Sequence, residues 1–227
     1  METRHGFTEQ LRGLEQQTLE GFDFVIQSLD RTMEALNHRD IELASIVIAD
    51  DDRIDGRYLE VHQGVLTLLA LQSPVATDLR IVAALLHVVK HLERMGDQCV
   101  NICKLLPLAG HEPPVDAELM QKIDRMGVTT RSMVQQSKLA FESRDAGAAE
   151  DLVRQDDEVD RLNREIFRRA LEIGDDVDMR EWAMLMILIA RCLERIGDNA
   201  IDIGEHAAFV ATGLFREFED ASGQSPG

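Results

Sequence analysis

Along this chain apolar residues recur at intervals of three and four. Leu85, Val88, Val89, Leu92, Met95, Cys99 and Ile102 form one such stripe, the spacing of a helix that turns one face to a core. Alternating apolar and polar runs closed by Asn-Gly or Asp-Gly turns, the signature of hairpins, are missing. The pattern predicts six long helices, over 8–36, 41–71, 76–106, 117–141, 146–173 and 179–215. Pro107, Pro113 and Pro114 bracket the best linker, because proline stops one helix and can open the next. A first three-helix unit is therefore expected at 1–110, a second at 111–220 and a disordered tail at 221–227. The expected fold is all-α: two tandem antiparallel three-helix bundles.

Composition supports long, uninterrupted elements, with only 15 glycines and five prolines in 227 residues. One Trp, one Tyr and eight Phe leave a mostly aliphatic core, as in helical bundles. The 42 acidic residues against 24 basic ones give a formal charge of -18, which repels phosphate backbones and argues against nucleic-acid binding. The longest apolar run, 182–190, is about half a bilayer span and is closed by Glu181 and Arg191, so no crossing is expected. Met1-Glu2-Thr3-Arg4-His5-Gly6 lacks the basic-then-apolar order of a secretory signal. With an odd number of cysteines, Cys99, Cys103 and Cys192, a reducing cytoplasmic setting is expected.

The two halves carry the same words. Leu92-Glu93-Arg94-Met95-Gly96-Asp97 matches Leu193-Glu194-Arg195-Ile196-Gly197-Asp198, 101 residues on. Upstream, Asp51-Asp52-Arg53-Ile54-Asp55 matches Asp156-Asp157-Glu158-Val159-Asp160, 105 residues on. Two motifs kept in order at nearly equal spacing indicate a duplicated three-helix unit.

Residues four apart stack on one helix face, so Glu93 with Asp97 and Glu194 with Asp198 each present two carboxylates in one direction. They border the apolar stripe, and Gly96 falls between them and it. A mid-helix glycine costs about 0.5–1 kcal/mol against alanine, so something must approach closely there, a neighbouring helix or an ion. Asp51 with Asp55 and Asp156 with Asp160 repeat the spacing on the preceding helix. Four to six oxygens from two helices suit a hard cation: magnesium, manganese, calcium or oxidised iron. Zinc usually takes nitrogen or sulfur as well. The competing reading is a solvated acidic face, or pairing with Arg94 and Arg195. Asp202 and Glu205 extend the second row, whereas Asn101 and Lys104 stand in the first, so the second copy is expected to hold a cation better.

Other chemistry is weaker. His87 and His91, four apart at the edges of the stripe, are expected to be a core or surface pair, and Cys99 and Cys103 buried inert thiols. None of His38, His62, His87, His91, His111 and His206 completes a Glu-x-x-His, against a ferritin-like di-iron oxidase. There is no phosphate-cradling glycine loop and no nucleophile elbow.

The two Leu-Glu-Arg-x-Gly-Asp segments, the Asp-rich segments at 51–55 and 156–160, and Leu68-Leu69-Ala70-Leu71-Gln72-Ser73-Pro74-Val75-Ala76-Thr77-Asp78-Leu79-Arg80 resemble the PhoU family. The likeness covers both halves and nearly the whole chain. It implies two tandem three-helix bundles and, in some members, multinuclear metal clusters held by Glu/Asp-x-x-x-Asp motifs. Carried over by position, the ligands would be Asp51, Asp55, Glu93 and Asp97 in one half. In the other they would be Asp156, Asp160, Glu194 and Asp198, with Asp202 beyond. Members often have His after Gly-Asp, where this chain has Gln98 and Asn199. The ion would be iron, manganese, magnesium or zinc.

The resemblance further implies a negative regulator of the phosphate regulon with no catalytic activity. Such a protein would be a cytoplasmic adaptor, a homodimer, peripheral to the membrane through its partners: the ATPase subunit of the phosphate ABC transporter and the phosphate sensor histidine kinase. From a different class come a carboxylate-bridged metalloenzyme, which needs an open coordination position, and a metal-storage protein.

Overall fold

The computed structural model describes residues 2–110 and 114–218; the tail expected at 221–227 lies outside them, as do residues 111–113 of the linker. Among the described residues eight α-helices follow one another: α1 (Glu2–His38), α2 (Ile41–Asp50), α3 (Asp52–Leu71), α4 (Thr77–Leu105), α5 (Ala117–Ser143), α6 (Ala146–Glu150), α7 (Leu152–Leu171) and α8 (Val177–Thr212). A 3-10 turn, Leu106–Ala109, carries Pro107 out of α4. No strand occurs among the described residues. The six expected helices are all present as rods, but the second and fifth are each interrupted, at Asp51 and Asp151.

Aspartate starts four of these helices. Asp40, Asp116, Asp145 and Asp176 accept backbone N–H donors of the first turn of α2, α5, α6 and α8, from Leu43, Leu119, Gly147 with Ala148, and Met179. Each such cap contributes about 1 kcal/mol and explains where the linkers end. At the far ends, Arg144 and Gly213 turn left-handed, with φ of 54° and 77°, and close α5 and α8.

The apolar stripes meet as the periodicity predicts. In the first bundle α1, α3 and α4 enclose Phe22, Leu29, Leu85, Leu92 and Met95; in the second α5, α7 and α8 enclose Leu119, Met126, Met133 and Leu162. The bundles also share a core, through α4 against α8 and α1 against α5. Both inter-bundle pairs are antiparallel: His91 meets Asn199 while Arg80 lies against Gly213, and Glu15, Asp23 and Asp30 meet Arg144, Lys138 and Arg131 in turn. The third helices of the repeats therefore lie back to back at the centre, each with its carboxylate row turned toward the preceding helix of its own bundle.

Candidate functional site

In the first half, the break between α2 and α3 places Asp51 against α4. A Cβ on Gly96 would lie 2.8 Å from Asp51 Oδ1 and 2.9 Å from Ile54 Cδ1. The glycine is thus explained by the neighbouring helix. Asp51 Oδ1 is buried there without a hydrogen-bond partner. Loss of surrounding water, followed by the charges of Asp55, Asp97, Glu93 and Asp52, pushes the Asp51 carboxyl up to about 6. Asp97 is raised as well, by desolvation first, then Glu93 and Asp55, while Lys90 and Lys104 pull it back. The four residues expected from sequence share one electrostatic neighbourhood.

In the second half, Asp198 is also raised to about 6, by desolvation first although the residue as a whole is exposed, then by Glu194; Arg191 opposes, and Asp160 and Asp202 add to the rise. Asp156 is buried, its Oδ1 3.6 Å from where a Gly197 Cβ would stand. Gly197 is loosely surrounded, with Met133 Cε at 3.4 Å. The same motif thus has a tight glycine in one copy and a roomy one in the other.

Basic residues that the sequence reading missed engage these rows. Lys90 donates to Glu93 at 2.6 Å, and Arg191 donates to Glu194. Each base precedes its acid by three, so the pairing was legible as an i,i+3 pair repeated 101 residues on. It is these bases, rather than the adjacent Arg94 and Arg195, that form the pairs. Arg164 donates to Asp160 at 2.9 Å. Its counterpart in the first half is Leu59, so Asp55 has no such neighbour four residues on.

The expected extension of the second row is diverted. Asp202 Oδ2 lies 3.4 Å from His91 Nδ1 of the other bundle, and Glu205 accepts the Phe218 backbone N–H at 2.6 Å. His91 meets Asn199 Oδ1 at 2.8 Å, and His87 stacks on His206 with centroids 4.5 Å apart. Burial, with His87 and His91 beside it, lowers His206 to about 4. The histidines expected as a core or surface pair belong to the joint between bundles. Cys99 and Cys103 are buried, and burial pushes Cys99 up to about 12, so both thiols are inert at neutral pH.

As cation ligands the rows are all-oxygen sets without imidazole or thiolate, which fits magnesium, manganese, calcium or ferric iron better than zinc. The unpartnered Asp51 Oδ1 fits such an ion. Among the described residues, however, no three His, Cys, Asp or Glu side chains stand close enough together to hold a metal as they are. An ion would compete with Lys90 for Glu93 in the first copy, and in the second with two arginines for Glu194 and Asp160.

A tandem pair of three-helix bundles, each with a carboxylate motif on its third helix, defines a helical repeat class. The family model described as PhoU domain matches residues 18–106 and 123–207, and this chain belongs to the PhoU family. The phosphate-specific transport system accessory protein PhoU homolog of Clostridium acetobutylicum is 32% identical over 220 residues, 96% of this chain and all of that protein. The homolog from Aquifex aeolicus is 31% identical over 90% of this chain and 92% of its own length. Among solved structures, the phosphate transport system regulatory protein PhoU of Streptococcus pneumoniae superposes with a TM-score of 0.85 at 26% identity, covering 92% of this chain and 99% of that one. PhoU of Pseudomonas aeruginosa gives 0.83 at 27% identity, covering 92% and 100%.

Proposed function

We propose that this protein is a negative regulator of phosphate uptake and of phosphate-regulon signalling. It acts in the cytoplasm as an adaptor between the ATPase subunit of a phosphate ABC transporter and the sensor histidine kinase, working as a homodimer held at the membrane by those partners. The observation that carries this reading is the near full-length match, over both repeats, to accessory proteins of phosphate-specific transport. Among the described residues no helix is long and apolar enough to cross a membrane, which agrees with attachment through partners.

In this reading the carboxylate rows bind a hard divalent or trivalent cation, and the first copy, Asp51, Asp55, Glu93 and Asp97, binds it more tightly. The sequence favoured the second copy. Arg164 and Arg191 neutralise half of that copy, and Asp202 and Glu205 are occupied elsewhere, which outweighs the Lys104 charge felt by Asp97 in the first. The deciding experiment is in-cell cross-linking with mass spectrometry under replete phosphate, paired with deletion of the gene. Cross-links to the ATPase and the kinase, and constitutive alkaline phosphatase in the deletion, are expected. Neither cross-link, with phosphatase still repressed in the deletion, would sink the adaptor reading.

A further inference from the structure

Along the first half of α8, Val177, Glu181, Met184, Leu188, Arg191 and Arg195 follow one another by steps of four and three in turn, and all are exposed. That is the spacing of a seam that meets another helix lengthwise. Among the described residues no helix covers it. Val177, Met184 and Leu188, with Phe167 and Leu171 on the adjoining α7, are each more than half exposed. A single exposed apolar side chain is ordinary, but a run of them along two packed helices marks a surface that meets something.

The seam has an order: an acid, Glu181, then two apolar residues, Met184 and Leu188, then two bases, Arg191 and Arg195. The order is complementary to its own reverse. Turned end for end about a point beside Met186, Met184 faces Leu188, Glu181 faces Arg191, and the first turn with Val177 and Asp178 faces Arg195. A patch that fits itself in this way is the mark of a two-fold interface. Glu181 and Arg195 form no ion pair among the described residues, and Arg191, which donates to Glu194, keeps further N–H groups to give. On a chain of formal charge -18, two copies approach most easily where each offers the other a base for its acid.

The first repeat lacks the seam. At the matching positions of α4, 101 residues earlier, stand Ala76, Arg80, Ala83, His87, Lys90 and Arg94, with neither the acid nor the large apolar side chains.

We propose that this face binds the same face of a second copy, α8 antiparallel to α8. The partner's Met184 then enters the groove of about 410 Å3 that Arg164, Phe167, Arg168 and Leu188 line. The proposal rests on the homodimer reading given above and supplies the dimer's surface. It lies apart from the pairs between α1 and α5, which join the two repeats within one chain.

Sedimentation velocity on the full chain from about 1 to 100 μM should show a monomer–dimer equilibrium. Leu188→Glu, which sets a charge at the apolar centre, should weaken dimerisation about tenfold or more while the helical circular dichroism is kept. Glu181→Arg and Arg191→Glu should each weaken it alone, by setting like charges opposite one another. Mixing those two variants should restore a dimer, because each substituted side chain then meets its opposite. A dimer untouched by Leu188→Glu, or a mixture no tighter than either variant alone, would overturn this surface and leave the homodimer standing. A chain that stays monomeric over the whole range would overturn both, and would leave the face to a different protein.

Discussion

The two repeats use one motif in two ways. In the first, the chain breaks at Asp51, the aspartate presses on Gly96, and one base, Lys90, pairs with the row while Lys104 acts on Asp97 without pairing. In the second, the break falls at Asp151, Gly197 is roomy, and arginines cover two of the four carboxylates. Identical letters therefore do not make equivalent sites. What differs is where the preceding helix is interrupted and whether position 59 or 164, one step removed from the motif, carries a charge.

The comparison is most directly broken at the glycines. Gly96→Ala forces Asp51 and Ile54 aside and should cost about 1–3 kcal/mol in denaturant titrations. Gly197→Ala meets only ordinary contacts and should be neutral or stabilise by up to about 1 kcal/mol. Equal costs at both positions would mean that the close approach at Gly96 is not specific to the first repeat.

Next in size is cation binding. Calorimetric titration with Mn2+ should show Asp97→Asn weakening the tighter site about tenfold, roughly 1.4 kcal/mol, with Asp198→Asn sparing it. The reverse order would restore the preference suggested by sequence. A smaller gain is expected from Arg164→Leu, which gives the second copy the residue of the first. Releasing Asp160 from an exposed pair is worth about 0.2–1 kcal/mol, so affinity at the second copy should rise severalfold at most.

The smallest effect is on pH dependence. Asp51 binds its proton near 6 in the folded chain, against an ordinary value of 3.8. Between those values the folded state holds the extra proton, so cation-free stability rises as pH falls through about 6 and is lost as pH rises through it. His206 works in the opposite sense: held near 4 against 6.5, it leaves the unfolded chain with the extra proton, and stability falls as pH drops through that interval. Thermal scans from pH 7 to 4.5 should therefore show Asp51→Asn losing its share of the acid-side gain, with Asp198 still contributing, and keeping the His206 loss. Saturating Mn2+ should suppress the same gain, because the ion displaces the Asp51 proton.

Much of this was legible in the sequence. Helical periodicity, the proline-marked linker and the repeated motif led to two all-α bundles, because those signals are local and the core simply follows them. The shared neighbourhood of Asp51, Asp55, Glu93 and Asp97 followed from the motif order and antiparallel packing. The breaks at Asp51 and Asp151 were not legible, since neither has a proline or glycine at the break to announce it. Nor was the fate of Asp202 and Glu205. An i,i+4 row states which face a side chain shares with its neighbours, but not which helix meets that face, and here His91 on α4 of the other bundle meets Asp202.

The ladder between α1 and α5 has a direction. Glu15, Asp23 and Asp30 are all acids on the first repeat; Arg144, Lys138 and Arg131 are all bases on the second. Exposed pairs of this kind add little to stability. They do make the repeats complementary and no longer interchangeable: two first repeats would set acid against acid along this seam, and two second repeats base against base. After duplication the copies have become a plug and a socket, so each is held to the other rather than to its twin on another chain.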